Sequence, residues 1–191
     1  MTFKDTVMYR PLKAIYIKTN PGDSGTGIIE DITYENILII QALWWTVWIG
    51  PQQQNQPGSG DGTGCNFLFP KLVGCATQPR VSISRIILRN ITAVETVPMF
   101  EGPGVILCDA ANPCTDIVFD NVVNTMYTGN VSNIFDNLPV AVPRIVFPTK
   151  YRTDNWTFDY IVSNARGSIL GIVNPLPCLD ESCYWNGESK N

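Results

Sequence analysis

The sequence contains no histidine. This absence excludes a Ser/His/Asp triad, a Cys/His catalytic pair and an HExxH zinc site, because each of them needs an imidazole. Acid–base chemistry in this chain would therefore have to use carboxylates, lysine or tyrosine.

Charged residues are also few. The 191 residues include 13 Lys+Arg and 17 Asp+Glu, which gives a net charge of −4. Nucleic-acid binding needs clustered Lys and Arg to displace counterions, so we expect no nucleic-acid partner. The longest apolar stretch, residues 37–50, is interrupted by Gln41 and Thr46. It is shorter than the roughly 20 residues of a membrane span, so we expect no span.

The chain does have enough apolar content to form a core. Hydrophobic residues make up 45 % of it, which is typical of a folded chain rather than a disordered one. A length of 191 residues suits one domain, so we predict a single domain over residues 1–191.

The six cysteines form three close pairs in the sequence: Cys65 with Cys75, Cys108 with Cys114, and Cys178 with Cys183. An even number at short spacings favours local disulfides, although six cysteines allow 15 connectivities. No CxxC pair occurs, so zinc is the weaker interpretation, and we expect no metal and no cofactor. Disulfides favour an extracellular, secreted protein. The first ten residues lack the apolar segment of a signal peptide, so such a protein would be a processed or partial polypeptide.

Two short patterns recur along the chain. The first reads polar, apolar, any, apolar, any, Asn, apolar, and is found at residues 31–37 (DITYENI), 85–91 (RIILRNI), 116–122 (DIVFDNV) and, in degenerate form, 155–161 (NWTFDYI). The second is a β-type alternation at residues 14–18, 46–50, 104–108 and 168–172.

The spacing of these patterns favours a solenoid. The central apolar residues of the first pattern are separated by 54, 31 and 39 residues, and the longest interval contains a Gly/Gln/Pro-rich stretch. No segment shows sustained helical periodicity, so helices cannot connect the strands. We predict an all-β fold, a parallel β-solenoid with coils of about thirty residues. A disulfide-closed loop insertion is predicted at residues 51–80, and a C-terminal coil and cap at residues 164–191.

An asparagine ends the alternation in three copies of the first pattern, at Asn36, Asn90 and Asn121. Asparagine tolerates the left-handed backbone of a sharp bend, and stacked coils would let each amide bond to the next at about 4.8 Å. We predict an inward-facing ladder of these three amides.

Three glycosylation sequons begin at Asn90, Asn130 and Asn155. A buried ladder amide cannot carry a glycan, so we expect glycosylation at Asn130 or Asn155 rather than at Asn90.

Residues 12–22 (LKAIYIKTNPG) are followed by residues 29–37 (IEDITYENI) and 46–53 (TVWIGPQQ). This succession resembles the Arg-Ile-Lys region of glycoside hydrolase family 28, the polygalacturonases. In that family the motif precedes a Gly-rich turn, an N-I-T-x-x-N-I strand and a P-I-x-I-x-Q-x-Y strand. The resemblance covers most of residues 8–125 and implies a right-handed parallel β-helix, of which this chain forms the C-terminal coils.

The resemblance also implies where the chemistry lies. The family's acidic Asn-Thr-Asp and Asp-Asp motifs and its Gly-His-Gly motif all precede Arg-Ile-Lys, so the catalytic acids are expected upstream and no catalytic residue is expected in this chain. Lys18 matches the motif lysine, which in the family helps to hold a substrate carboxylate. Tyr16 stands where the motif has arginine.

Two hypotheses for function follow. The chain is the C-terminal segment of a polygalacturonase-like extracellular hydrolase acting on cell-wall or surface polysaccharide, inactive when alone. Alternatively, it is a catalytically inactive, glycosylated extracellular structural or assembly protein. In both, the expected partner at the N-terminal end is a set of upstream β-helix coils or another chain, because an uncapped coil invites pairing.

The substrate-binding candidates are Lys18, Tyr16 and Trp48. We expect Tyr16 and Trp48 to point outward on adjacent coils, where aromatic rings beside a lysine could stack on a sugar. The other interpretation, which we favour, is that the long Gln/Gly loop or another subunit covers these rings.

Carboxylates could pair along the stack of coils. Asp120 and Asp159 are predicted to share a column with Glu35 and Arg89, at a spacing that could suit glycoside hydrolysis. Their polar neighbours favour a solvated surface instead.

Overall fold

The computed structural model describes residues 1–20, 25–52, 65, 76–97, 102–129 and 158–180. Within this part of the chain there are nine β-strands and no helix. The strands are β1 (Thr2–Tyr9), β2 (Lys13–Thr19), β3 (Gly27–Ile40), β4 (Trp45–Pro51), β5 (Val81–Thr96), β6 (Gly104–Leu107), β7 (Cys114–Met126), β8 (Ile161–Ser163) and β9 (Ala165–Asn174).

The strands form two parallel sheets. Sheet A has the order β1-β3-β5-β7-β9, and sheet B has the order β2-β4-β6-β8. The chain therefore visits the two sheets alternately and returns each time one strand further along, so that one sheet A strand and the following sheet B strand make one coil. The all-β prediction and the parallel stacking are confirmed at this level, and the arrangement is compatible with a β-helix.

The long strands of sheet A are bent at single residues with left-handed backbone. These residues recur every five positions within a strand: Asp5 and Arg10 in or just after β1; Asp31, Asn36 and Gln41 in or just after β3; Arg85, Asn90 and Glu95 in β5; Asp116 and Asn121 in β7. Asn and Asp visit this conformation most readily among side-chain-bearing residues, which explains their frequency at the bends.

The amides of Asn36, Asn90 and Asn121 lie at equivalent bends of successive coils, as predicted, with φ of 55°, 50° and 55°. The Nδ2 of Asn90 donates to Oδ1 of Asn36 at 3.2 Å. The prediction that these side chains face inward is wrong, since all three are exposed. A left-handed residue interrupts the pleat, so the bend residue points outward while Tyr34 before it and Ile37 after it both enter the core.

Because Asn90 is exposed, burial does not exclude glycosylation at that sequon, and the expectation that it does is wrong. The two preferred sequons, Asn130 and Asn155, lie outside the described residues.

The fourth copy of each pattern lies in the other sheet from the first three copies of that pattern. Of the copy at 155–161, only the last four residues are described, and its Ile161 belongs to β8 of sheet B, where it pairs with Val105. Residues 168–172 lie in β9 of sheet A, where Ser168 pairs with Val118. The bend of β9 is at Gly171, with φ of 63°. Gly171 takes the place of the asparagine because a Cβ there would collide with the Asn121 amide.

The core lies between the two sheets. Sheet A contributes inward positions on both sides of each bend, and sheet B contributes every second residue of its strands. The fully buried side chains of this core include Ile15, Ile37, Ile39, Val47, Ile49, Ile86, Leu88, Ile91, Ile106, Ile117 and Phe119.

The core also holds a closed ring of three polar side chains. Thr96 Oγ1 donates to Asn124 Oδ1 at 2.7 Å, and Asn124 Nδ2 donates to Thr46 Oγ1 at 2.8 Å. The two hydroxyl oxygens lie 3.1 Å apart. All three residues are buried, so the ring satisfies groups that would otherwise be costly to desolvate.

The two ends of the stack differ. At the N-terminal end, the inward-facing Phe3 of β1 stacks on Tyr34 but is 44 % exposed. At the C-terminal end, Leu179 is buried in the core and its carbonyl accepts a hydrogen bond from the Gly167 amide at 3.2 Å. The end that carries β9 is thus partly covered by the chain that follows it.

The Cys108–Cys114 disulfide is confirmed, and it joins the residue after β6 to the first residue of β7. Cys65 and Cys178 are also disulfide-bonded. Their predicted partners Cys75 and Cys183 lie outside the described residues, as does most of the predicted insertion at 51–80.

Candidate functional site

The outer face of sheet B at the N-terminal end carries the predicted binding residues. Tyr16 pairs in register with Trp48, and Lys18 with Gly50, so the expected adjacency of β2 and β4 is confirmed. Ile15 and Ile17 are buried in the core between the sheets. Because side chains alternate along a strand, Tyr16 and Lys18 share the opposite, outer face of β2.

A second apolar cluster covers this outer face. We call it the aromatic cluster, and its buried members are Trp44, Trp45, Trp48, Cys65, Val105 and Leu107, with Tyr16 and Ile161 partly buried against them. The Trp45 and Trp48 rings meet edge to face with centroids 5.8 Å apart, and the Tyr16 and Trp48 rings at 6.3 Å. Sheet B is therefore buried on both of its faces here.

Trp48 cannot stack on a sugar in this arrangement. Its side chain is 0 % exposed, and its indole nitrogen donates to the Pro51 carbonyl at 3.0 Å. Cys65 belongs to the predicted loop insertion and packs in the same cluster. The exposed-platform interpretation is thus wrong for Trp48, and the interpretation that the rings are covered is confirmed for it. The physical reason is that burying a tryptophan removes more apolar surface from water than burying most other side chains.

Lys13 is the residue that the sequence analysis missed. Its ammonium lies 4.4 Å from the centroid of the Tyr16 ring and 5.0 Å from those of Trp44 and Trp48. We call these three rings the Lys13 cage. Three ring faces within about 6 Å of one cation are a favourable electrostatic arrangement. The sequence contains no signal for this contact, because strand alternation would place Lys13 on the same face as the buried Ile15. The two tryptophans are also distant from Lys13 along the chain.

Burial and the nearby charge of Lys18 lower the pKa of Lys13 from 10.5 to about 8. Burial is the larger cause, because the cage replaces water around the ammonium. Lys18 itself is exposed. One ammonium is thus held against aromatic rings, and a second lies exposed on the same strand.

The predicted column of charged residues on sheet A is only partly present. Register places Glu35, Arg89 and Asp120 in one column of sheet A, but the next position is Leu170. Asp159 lies outside the strands, shortly before β8 of sheet B, so the prediction that it shares this column is wrong. The reason is that the fourth copy of the first pattern leads into sheet B instead of sheet A.

Asp120 already has a cationic partner. Its Oδ2 accepts a hydrogen bond from Nε of Arg89 at 2.9 Å. Asp120 is thus part of a surface ion pair on sheet A.

Among the described residues, no group of three or more His, Cys, Asp or Glu lies close enough to hold a metal ion. Nor do those residues include a helix long and apolar enough to cross a membrane.

Comparisons of the chain with protein-family models, with curated proteins and with solved structures found no match. The resemblance to glycoside hydrolase family 28 therefore stays a prediction that depends on the quoted motifs.

Proposed function

We propose that this chain forms the C-terminal coils of an extracellular, polygalacturonase-like glycoside hydrolase, in which Lys18 and Tyr16 bind the sugar. The observation that carries the proposal is the position of Lys18. It is exposed on β2, the outermost strand of sheet B, at the same end of the stack where Phe3 leaves the core open.

This position suits a shared active site. Successive coils lie about 4.8 Å apart, so carboxylates on one or two coils stacked against β1 and β2 would come within about 5 to 10 Å of Lys18. Glycoside hydrolysis needs two carboxyl groups about 5 to 9.5 Å apart beside the substrate. The catalytic acids would then be supplied by upstream coils or by a partner chain.

The proposal also includes the right-handed turn of the β-helix and the secretion of the protein. A strand, a crossover and a following parallel strand in one sheet form a right-handed connection in about 98 % of cases, which supports a right-handed β-helix. The Cys108–Cys114 disulfide supports an oxidising compartment and hence secretion.

Binding of an acidic oligosaccharide to the purified chain tests this proposal. We expect weak saturable binding of oligogalacturonate, with a Kd of about 1 mM or higher, because the chain would supply only part of the site. Lys18→Met should weaken binding at least about fivefold. The matched control Lys4→Met changes an exposed lysine on sheet A and should leave binding unchanged.

The same preparation should release no reducing sugar from polygalacturonate above a boiled control. Absence of saturable uronate binding, or equal binding by the two lysine variants, would contradict the substrate assignment.

The second candidate is a structural or assembly role. It is favoured by the apolar surface of the first coil, where Phe3 is 44 %, Val7 66 % and Tyr9 65 % exposed. Sedimentation of the chain with and without a Val7→Lys substitution tests it. Self-association that the substitution abolishes, together with no sugar binding, would favour this role over the enzymatic one.

A further inference from the structure

Three asparagines occupy equivalent bends of sheet A, and one of them differs from the others in the residue two positions later. Asn36, Asn90 and Asn121 all have a left-handed backbone, and all three are exposed. Asn90 is followed at that distance by Thr92, whereas a leucine follows Asn36 and a valine follows Asn121. Asn-x-Thr is the acceptor sequence for N-glycosylation. The stack therefore contains a glycan acceptor at one of three equivalent positions.

The bend directs the Asn90 amide away from the protein. Leu88, two residues before it, and Ile91, directly after it, are both buried in the core. The φ of 50° at Asn90 interrupts the pleat, so its side chain leaves the strand on the solvent side. Thr92, whose hydroxyl completes the acceptor sequence, is exposed as well. An oligosaccharide attached here would extend into solvent.

The hydrogen bond to Asn36 is compatible with this modification. An unmodified asparagine carries two hydrogens on Nδ2. The Asn90 Nδ2 donates to Oδ1 of Asn36 at 3.2 Å. Attachment of a sugar replaces one of the two hydrogens and leaves the other as a donor, so a glycan and the contact between the two coils can coexist.

We propose that Asn90 is an N-glycosylation site, which carries an oligosaccharide on the outer face of sheet A. The inference rests on the secretion that is part of the proposed function, because the sugar donor is found in the secretory pathway. In the reaction, Nδ2 of Asn90 attacks C1 of an oligosaccharide that is linked to a polyprenyl diphosphate. The N–C1 bond forms, the bond between C1 and the diphosphate oxygen breaks, and Nδ2 loses one proton as the polyprenyl diphosphate leaves.

The glycan would lie on the opposite side of the core from the candidate binding residues. Asn90 is exposed on sheet A, and Lys18 is exposed on the outer face of sheet B. Glycosylation therefore leaves Lys18 accessible. It also covers part of sheet A with a hydrated oligosaccharide, which opposes contact of that face with another protein.

Expression of the full chain behind a cleavable signal peptide, in a eukaryotic secretory host, tests this site. Ser132→Ala and Thr157→Ala remove the other two acceptor sequences, so that the one at Asn90 remains. We expect a mobility shift that a peptide N-glycosidase reverses, and the same digestion in heavy-oxygen water should label Asn90 as it becomes aspartate. Adding Thr92→Ala should abolish the shift, whereas Thr92→Ser should retain part of it. Cell extract and medium are both analysed, so that a retained chain also reports on the site.

A grafted variant tests whether the outward bend admits the glycan. Leu38 pairs in register with Thr92 and is 36 % exposed. In the same background, Leu38→Thr combined with Thr92→Ala places the acceptor sequence at Asn36, and we expect the glycan to move there. The matched control is Met126→Thr with Thr92→Ala, which creates an acceptor sequence at the buried Asn124. A glycan there would disrupt the polar ring of the core, so chains glycosylated at Asn124 should stay in the cells.

An Asn90 without a glycan in both fractions would overturn the proposal. So would retention of the glycosylated chain when its Thr92→Ala counterpart is secreted, because the glycan would then be incompatible with the fold. An unmodified Asn36 in the grafted variant would show that the outward bend does not decide where the sugar is attached. Uronate binding is measured separately on the unglycosylated chain, and its absence would overturn the proposed substrate while leaving the glycan site in place.

Discussion

Sheet A and sheet B pair their strands in the same parallel way, but they differ in what lies on their outer faces. In sheet A, β5 alternates between buried and solvent-facing side chains along most of its length. In sheet B, every residue of β4 and of β6 is buried. The difference arises because the aromatic cluster covers sheet B, whereas the outer face of sheet A meets solvent.

This contrast explains the different sequence patterns of the two sheets. A strand with one face in water needs polar residues on that face, which produces the alternation and the charged column of Glu35, Arg89 and Asp120. A strand buried on both faces can be apolar throughout, as residues 45–49 nearly are. Sheet B also carries the candidate binding residues, on its first strand β2, where Lys18 is exposed.

The largest change in the free energy of unfolding is expected when the aromatic cluster that covers sheet B is disrupted. Trp48→Ala should lower the free energy of unfolding by about 3–5 kcal/mol, because it leaves a cavity among buried rings. Tyr9→Ala, on sheet A and 65 % exposed, is the matched aromatic control and should change it by less than about 0.5 kcal/mol. Chemical denaturation measures both, and equal effects would contradict the contrast between the sheets.

The second-largest loss of stability is expected from breaking the disulfide that connects sheet B to sheet A. Replacing Cys108 and Cys114 together by serine should cost about 2 kcal/mol, because the bond closes a short loop between β6 and β7 in the unfolded chain. Chemical denaturation of the double variant and of the unmodified chain, both without reductant, measures this cost, because the other disulfides stay intact in both proteins. An unchanged midpoint would show that packing alone holds this corner.

The bends of sheet A can be tested at Asn90. Asn90→Ala should cost about 1–2 kcal/mol, because alanine is disfavoured at a φ of 50° and cannot bond to Asn36. Asn90→Gly loses the same hydrogen bond but tolerates the backbone, so it should cost less. If both variants had the same midpoint of thermal unfolding, the left-handed backbone would not be the cause.

The smallest effect is expected on the outer face of sheet A. Arg89→Ala removes the ion pair with Asp120, whose side chains are 41 % and 19 % exposed, and should cost less than about 1 kcal/mol. The loss should shrink further in 1 M salt, which screens surface charges. A cost similar to that of Trp48→Ala would mean that the two outer faces contribute equally.

Much of the stacking could be predicted from repetition in the sequence. The copies at 31–37, 85–91 and 116–122 all lie in sheet A, and those at 14–18, 46–50 and 104–107 in sheet B. The bends recur every five residues, for example at Asp31, Asn36 and Gln41, and the sequence predicts only those at asparagine. Arginine, glutamine and glutamate are poor choices for such a backbone in isolation.

Side-chain ladders between coils help to explain those unexpected bend residues. Arg10 Nε donates to Gln41 Oε1 at 2.9 Å, and Gln41 Nε2 donates to Glu95 Oε2 at 2.7 Å. At another bend Arg85 bonds to Asp31, and this hydrogen bond is the main reason why the pKa of Asp31 is lowered. Each ladder joins residues at least 31 positions apart, so no local rule could have identified its members.

The sequence by itself determined the repeated strands and the bends at asparagine, because these depend on the preferences of a few neighbouring residues. Only the tertiary structure decided which way the bend asparagines point, which sheet receives β8 and β9, and that Trp44 and Trp48 close around Lys13. Those features depend on contacts between coils, and a side chain's environment there is set by residues that are distant along the chain.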